Sequence, residues 1–135
     1  MSAINRAVAT LRVRGEELSP SEITRLLGSE PTYAYSKGEV LARPKGRIAK
    51  SGMWQLEAAP LEPSDFNTQV ASLLDQLTQD LQIWQELTEK YDISLFCGWF
   101  MRESNEGEDL SSKTLISLGQ RGLSLGLDIY APDDE

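Results

Sequence analysis

The chain has 135 residues, 40% of them hydrophobic and 25% charged, which suits one core in one domain spanning 1–135 and argues against global disorder. Its formal net charge of −8 opposes general affinity for nucleic acid, whose phosphates repel a negative surface, so nucleic acid is not an expected partner. With no histidine and a single cysteine, the composition excludes Ser-His and Cys-His nucleophile systems, His-containing metal sites, structural zinc and any intramolecular disulfide.

The charge is unevenly spread. Residues 1–50 hold nine Lys/Arg and five Asp/Glu, a net +4, and residues 51–135 carry −12. No apolar stretch approaches the roughly 18 residues that cross a membrane. Met1-Ser2-Ala3-Ile4-Asn5-Arg6 lacks the basic-then-apolar pattern of a secretory leader. A cytoplasmic protein without membrane attachment is the expectation. Cys97, between Phe96 and Trp99 in an apolar run, is expected to be a buried, inert thiol.

In chain order, Ile4–Val13 reads as a strand. Ala7, Ala9, Leu11 and Val13 make its apolar face, and Gly15 ends it. Ser19-Pro20-Ser21-Glu22 opens a helix through a capping box, Ile23, Leu26 and Leu27 give it an apolar face, and Gly28 stops it. Pro31–Val40 reads as extended chain with a turn at Lys37-Gly38. Leu41–Gly52 follows as a loop or irregular hairpin, with Pro44, Gly46 and four basic residues. Met53–Ala59 is a strand with Trp54 and Leu56 facing the core.

Pro60 and Pro63 separate that strand from the longest helical pattern. Phe66, Val70, Leu73, Leu74, Leu77, Leu81, Trp84, Leu87 and Tyr91 recur at steps of three and four, with Ser64 or Asp65 as cap and Thr78-Gln79-Asp80 as a kink or break. Asp92–Arg102 is nearly continuously apolar and reads as a central strand covered at least partly on both faces. Glu103–Asp109 is an acidic loop. A helix from Ser111 or Ser112 runs through Leu115, Ile116 and Leu118 to Gly122. Leu123, Leu125, Leu127 and Ile129 form the inner face of a last strand, and residues 131–135 make a loose acidic tail.

The expected fold class is α+β, with the ferredoxin-like β-α-β-β-α-β order extended by one α-β pair. Its mixed open sheet carries helices mainly on one face.

No Walker loop or dinucleotide fingerprint is present. Glu16-Glu17 and Asp133-Asp134 read as solvated charge, and the acidic loop misses the EF-hand order. Two places remain for binding. One is the basic segment Arg43, Lys45, Arg47 and Lys50, with Tyr33 and Tyr35 upstream, which suits a phosphate, a carboxylate or an acidic protein surface. The other is Asp128 with Tyr130, which strand alternation puts on the face opposite Leu127; it is either an exposed strand face or a carboxylate–phenol pair lining a pocket.

Leu18-Ser19-Pro20-Ser21-Glu22-Ile23-Thr24, Leu27-Gly28-Ser29-Glu30-Pro31, Gly52-Met53-Trp54 and Gly126-Leu127-Asp128-Ile129-Tyr130 together resemble a mainly bacterial domain-of-unknown-function family, the one numbered four-two-seven-nine. Pro31, Gly38, Trp54, Asp128 and Tyr130 are the matching positions. The resemblance spans most of the chain and implies no catalytic residue and no cofactor.

The expected function is a non-enzymatic protein-binding or regulatory module, of immunity type in one version, and able to form a homodimer through an open sheet face carrying Arg12, Gln55, Asp128 and Tyr130. The alternative is a small-ligand-binding protein or enzyme using the Asp128/Tyr130 face and the basic loop 43–50. The candidate binding residues are Tyr33, Arg43, Lys45, Arg47, Lys50, Trp54, Asp128 and Tyr130, with no catalytic, metal or cofactor residue among them.

Overall fold

The structure is a computed structural model that describes residues 2–3, 6–42, 44–59 and 65–132. The expectations placed on Ile4, Arg43, Pro60, Pro63, Ser64 and residues 133–135 lie outside them. The elements run β1 (Ser2–Ala3), β2 (Arg6–Gly15), α1 (Pro20–Leu27), β3 (Tyr33–Tyr35), β4 (Gly52–Glu57), α2 (Phe66–Asp75), α3 (Leu81–Lys90), β5 (Asp92–Phe100), β6 (Glu106–Gly107), α4 (Ser112–Gln120) and β7 (Ser124–Tyr130).

Five strands form one mixed sheet in the order β3-β4-β2-β5-β7. All its pairings are antiparallel except β5–β7, which is parallel and bridged by α4. The fold is therefore α+β with a mixed open sheet. β1 and β6 pair separately and in parallel, a contact the acidic-loop reading of Glu103–Asp109 missed.

Alternation along β2 decides the layering. Ala7, Ala9, Leu11 and Val13 are wholly buried on one face. They share one apolar cluster with Ile23 and Leu27 of α1, Phe66, Val70, Leu73 and Leu74 of α2, Trp84 and Leu87 of α3, and Leu118 of α4. All four helices thus cover the same face, because a strand of period two can send one apolar row to only one side. The interior of β5 joins this cluster through Ile93, Leu95, Cys97 and Trp99.

The helix α1 starts and stops where its residues predict. Gly28 takes φ 83, the left-handed conformation in which a side chain would be strained, and its N–H bonds Thr24 O. Its start differs. Ser19 makes no side-chain cap bond, and Glu22 turns instead to Arg25, so no capping box forms.

The long apolar stripe is two helices. Asp65 caps α2 through Thr68 N and Asp80 caps α3 through Gln82 N. Between them, Gln79 Nε2 donates to the Leu74 and Leu77 carbonyls that a continuous helix would have used, and Thr78 N reaches Leu27 O on α1. The break turns Leu81 out to 42% exposure, although the stripe had placed it inside. In β7, Leu123 is buried and Leu125 packs on the core, but Leu127 and Ile129 are 43% and 53% exposed. This corrects the reading of all four as inner-face residues: β7 is the last strand of the sheet and passes beyond the helices.

Candidate functional site

The face of the sheet opposite the helices is built in cross-strand rows, because residues in register share a side. One row is Tyr33, Gln55, Arg12, Ser94 and Ser124; another is Arg6, Phe100 and Tyr130. Arg12, Gln55, Asp128 and Tyr130 accordingly lie on one face.

Planar groups stack along it. The Arg12 guanidinium carbon stands 4.1 Å from the Phe96 ring centre, and that of Arg6 stands 4.3 Å from the centre of Phe100. Phe100 stacks on Tyr130 at 4.7 Å with rings 7° from parallel. Tyr130 donates its hydroxyl to Asp128 Oδ2 at 2.7 Å, and that bond to a carboxylate raises the phenol above its ordinary range. Arg6 and Arg12 are half-buried. Their Nε atoms are shielded from water with no hydrogen-bond acceptor, and neither guanidinium forms an ion pair among the described residues.

The sheet orients these side chains, and the cost of shielding a cation is offset by the ring faces beneath. What remains available is a flat surface of preorganised guanidiniums and rings, with Glu57, Asp92 and Asp128 in register on the same face. Beside it, Phe100, Met101, Tyr130, Ala131 and Pro132 line an open depression of about 370 Å³.

The basic segment is a tight turn. Val40 and Ile48 form an isolated antiparallel bridge, Leu41 N bonds Arg47 O at 2.7 Å, and Gly38 and Gly46 take the positive φ such a turn demands. Lys45, Arg47 and Lys50 are exposed and without ion pairs among the described residues. Val40 and Ile48 beneath them are 70% and 62% exposed. Lys37 pairs with Glu16 at 2.5 Å, and that bond lowers the Glu16 carboxyl.

Among the expected binding residues, the sheet brings Asp128 and Tyr130 into contact, and it places Tyr33, 40% exposed and edge-to-face with Tyr35, on the same face near the opposite edge. Lys45, Arg47 and Lys50 belong to the separate turn. Trp54 faces the core as its strand alternation predicts, wholly buried with Nε1 donating to Thr24 Oγ1 at 3.0 Å, and this corrects its place among the candidate binding residues. Arg6, Phe96 and Phe100 are the residues that sequence reading missed. Each sits on a strand the sequence revealed, but only the register shows that they stack.

A concavity of about 450 Å³ runs between α2 and α4 and includes Asn67, Asp75, Lys113, Thr114 and Arg121. Arg121 is 7% exposed and committed to Ser117 O and Gln79 Oε1, at 2.9 and 3.0 Å. Burial lowers its pKa. It clamps the end of α4 to the α2–α3 turn. No group of three or more potential metal ligands occurs among the described residues, and no helix there is long and apolar enough to cross a membrane.

The profile of the Domain of unknown function (DUF4279) family matches residues 3–132. The chain belongs to that family. No curated protein and no solved structure matches it. Membership carries no activity with it, so function rests on the residues of the open sheet face and the basic turn.

Proposed function

We propose that this DUF4279 chain is a non-enzymatic binding module that engages a protein partner on the open face of its sheet. The observation that carries the reading is the pair of half-buried guanidiniums, Arg6 on Phe100 and Arg12 on Phe96, stacked on rings and forming no ion pair among the described residues. A half-buried guanidinium without an ion pair gains most from a carboxylate that meets its planar fork. The partner is therefore a protein surface presenting carboxylates, alongside apolar groups that rest on Phe96, Phe100 and Tyr130. The chain's −8 repels such a partner at long range, so recognition is short-range and weakly steered.

Three further expectations belong to this reading. A ferredoxin-like frame is supported by the order β3-β4-β2-β5 of the first four sheet strands, to which α4 and β7 add the extra pair. A cytoplasmic setting is supported by the single, buried Cys97. An immunity-type role fits a small acidic binding module.

The second reading, a small-ligand or enzymatic site, draws on the Asp128–Tyr130 hydrogen bond beside the 370 Å³ depression.

The test is affinity capture from source lysate with the wild-type chain and with Arg6→Gln/Arg12→Gln. One stoichiometric protein retained by the wild type and lost by the variant, at unchanged melting temperature, is expected. Equal retention by both overturns the open-face assignment. Reproducible thermal stabilisation by a metabolite, with no protein captured, transfers the case to the second reading.

A further inference from the structure

The sheet ends in two unlike edges. β3 is three residues long and runs into the basic turn, a short edge of the kind that resists further pairing. β7 is seven residues long, contains no Lys, Arg or Pro, and pairs with β5 without a bulge from Ser124 to Tyr130. Apart from the charge of Asp128, whose main-chain groups bond inward to β5, it carries none of the usual protections of an exposed edge.

Its main-chain direction is fixed by one bond. The Tyr130 carbonyl accepts from Met101 N on the β5 side at 3.0 Å. Backbone groups alternate along a strand, so Ser124, Gly126, Asp128 and Tyr130 bond inward to β5, and Leu125, Leu127 and Ile129 direct N–H and C=O outward. The side chains of those three point to the helix side, where Leu127 and Ile129 are half-exposed. On α4, Lys113, Thr114 and Ser117 line the groove against α2, and Leu115, 52% exposed, stands on the other flank.

We propose that β7 is the seam of a homodimer, in which a second copy lays its own β7 antiparallel to the first about a two-fold axis through Leu127. In that register Leu127 opposes Leu127 of the second copy, and Leu125 opposes Ile129 of the second copy. These are the residues with outward main-chain groups, so they form the hydrogen-bonded pairs of the new ladder. All seven residues overlap, Asp128 opposes Gly126, and no like charges face each other. Moving the axis one residue forward would set Asp128 against Asp128; moving it one residue back would leave Tyr130 outside the strand. A foreign peptide would require no such palindromic pattern, which is why a second copy is the occupant. The pairing joins two five-stranded sheets into one, with the open faces on the same side and the two α4 helices flanking the seam. It stands independently of the open-face binding reading.

The test is the solution mass of the full chain. Light scattering is expected to give twice 15.0 kDa, and Leu127→Lys to give a folded monomer with an unchanged circular dichroism spectrum. Cysteine cross-linking reads the register separately. Both cysteines are introduced with Cys97→Ala, which removes the thiol paired in register with Leu127 on the same chain; Leu127→Cys is then expected to oxidise to a covalent dimer, since Cα atoms of a hydrogen-bonded pair lie about 5.5 Å apart, within disulfide reach. Leu125→Cys should not, because its equivalent lies four residues along the other strand, roughly 13 Å away. A 15.0 kDa monomer at millimolar concentration overturns the proposal, as does a Leu127→Lys chain that stays dimeric. Equal cross-linking of the two cysteine variants overturns the register. If Leu127→Lys does not fold, the cysteine pair decides.

Discussion

Gln69 offers the sharpest check on how the core is closed. It lies on α2, 1% exposed, and its Nε2 donates to Ala7 O at 2.8 Å and Ala59 O at 3.1 Å. Among the described residues, Ala58 N to Ala9 O is the last bond from the β4 side to β2, and Ala7 lies two residues further along β2. The glutamine amide supplies a donor to the Ala7 carbonyl. Gln69→Leu keeps the apolar volume and leaves the buried Ala7 carbonyl without that donor, at about 1–3 kcal/mol, whereas water can replace the donor at the exposed Ala59. Removal of the amide oxygen, which has no partner, returns part of this. A net loss of about 1–3 kcal/mol is expected, a sizeable share of the roughly 5–15 kcal/mol typical of a domain.

Gln69→Glu adds a signed test. A carboxylate would face two carbonyl oxygens with no cation near, so burial and repulsion raise its folded pKa above the unfolded value of about 4.3. The glutamic acid form can keep one of the donated bonds. Stability relative to wild type is therefore best below pH about 4 and falls as pH rises through the folded pKa. Urea denaturation at pH 4 and pH 7 reads both variants. A Gln69→Leu loss below about 0.5 kcal/mol, or a Gln69→Glu deficit independent of pH, would refute the reasoning.

Leu77, 4% exposed in the α2–α3 turn, should cost roughly 2–5 kcal/mol on change to Ala, read by chemical denaturation. Changing Arg43, Lys45, Arg47 and Lys50 together to Gln should leave melting nearly unchanged, because Lys45, Arg47 and Lys50 are exposed and unpaired among the described residues; if the turn contributes to partner capture, retention at low salt falls and the deficit shrinks at high salt. Burial raises the Cys97 thiol to about 12, so the folded chain should resist maleimide at pH 8 and react once unfolded. The same shift, upward from 9.0, means that the thiol's contribution is complete below pH 9 and is lost towards pH 12, by up to about 1.4 kcal/mol per unit; Cys97→Ala should flatten that decline.

Local chemistry was legible in the residues alone. The Pro20 start and Gly28 stop bracket α1, alternation in β2 names its buried face, Asp65 was one of two expected caps for α2, and the kink or break expected at Thr78-Gln79-Asp80 falls where α3 begins. These depend on bonds within a few positions, so sequence carries them. Asp128 and Tyr130 were likewise readable as neighbours, since a strand puts i and i+2 on one side.

Tertiary structure decided the rest. Whether Trp54 is a surface anchor or a core residue depends on which face α1 covers, and α1 covers it. Leu127 and Leu11 look alike as apolar strand positions, but one lies on the last strand and the other at the centre, and strand order is not written in either strand. Gln69 escaped an apolar-stripe reading because its burial is satisfied by carbonyls 62 and 10 positions away. The stacking of Arg6 and Arg12 on Phe100 and Phe96 arises the same way: each pair is separated by more than eighty residues and meets only through the β2–β5 register, a long-range contact that no local pattern encodes.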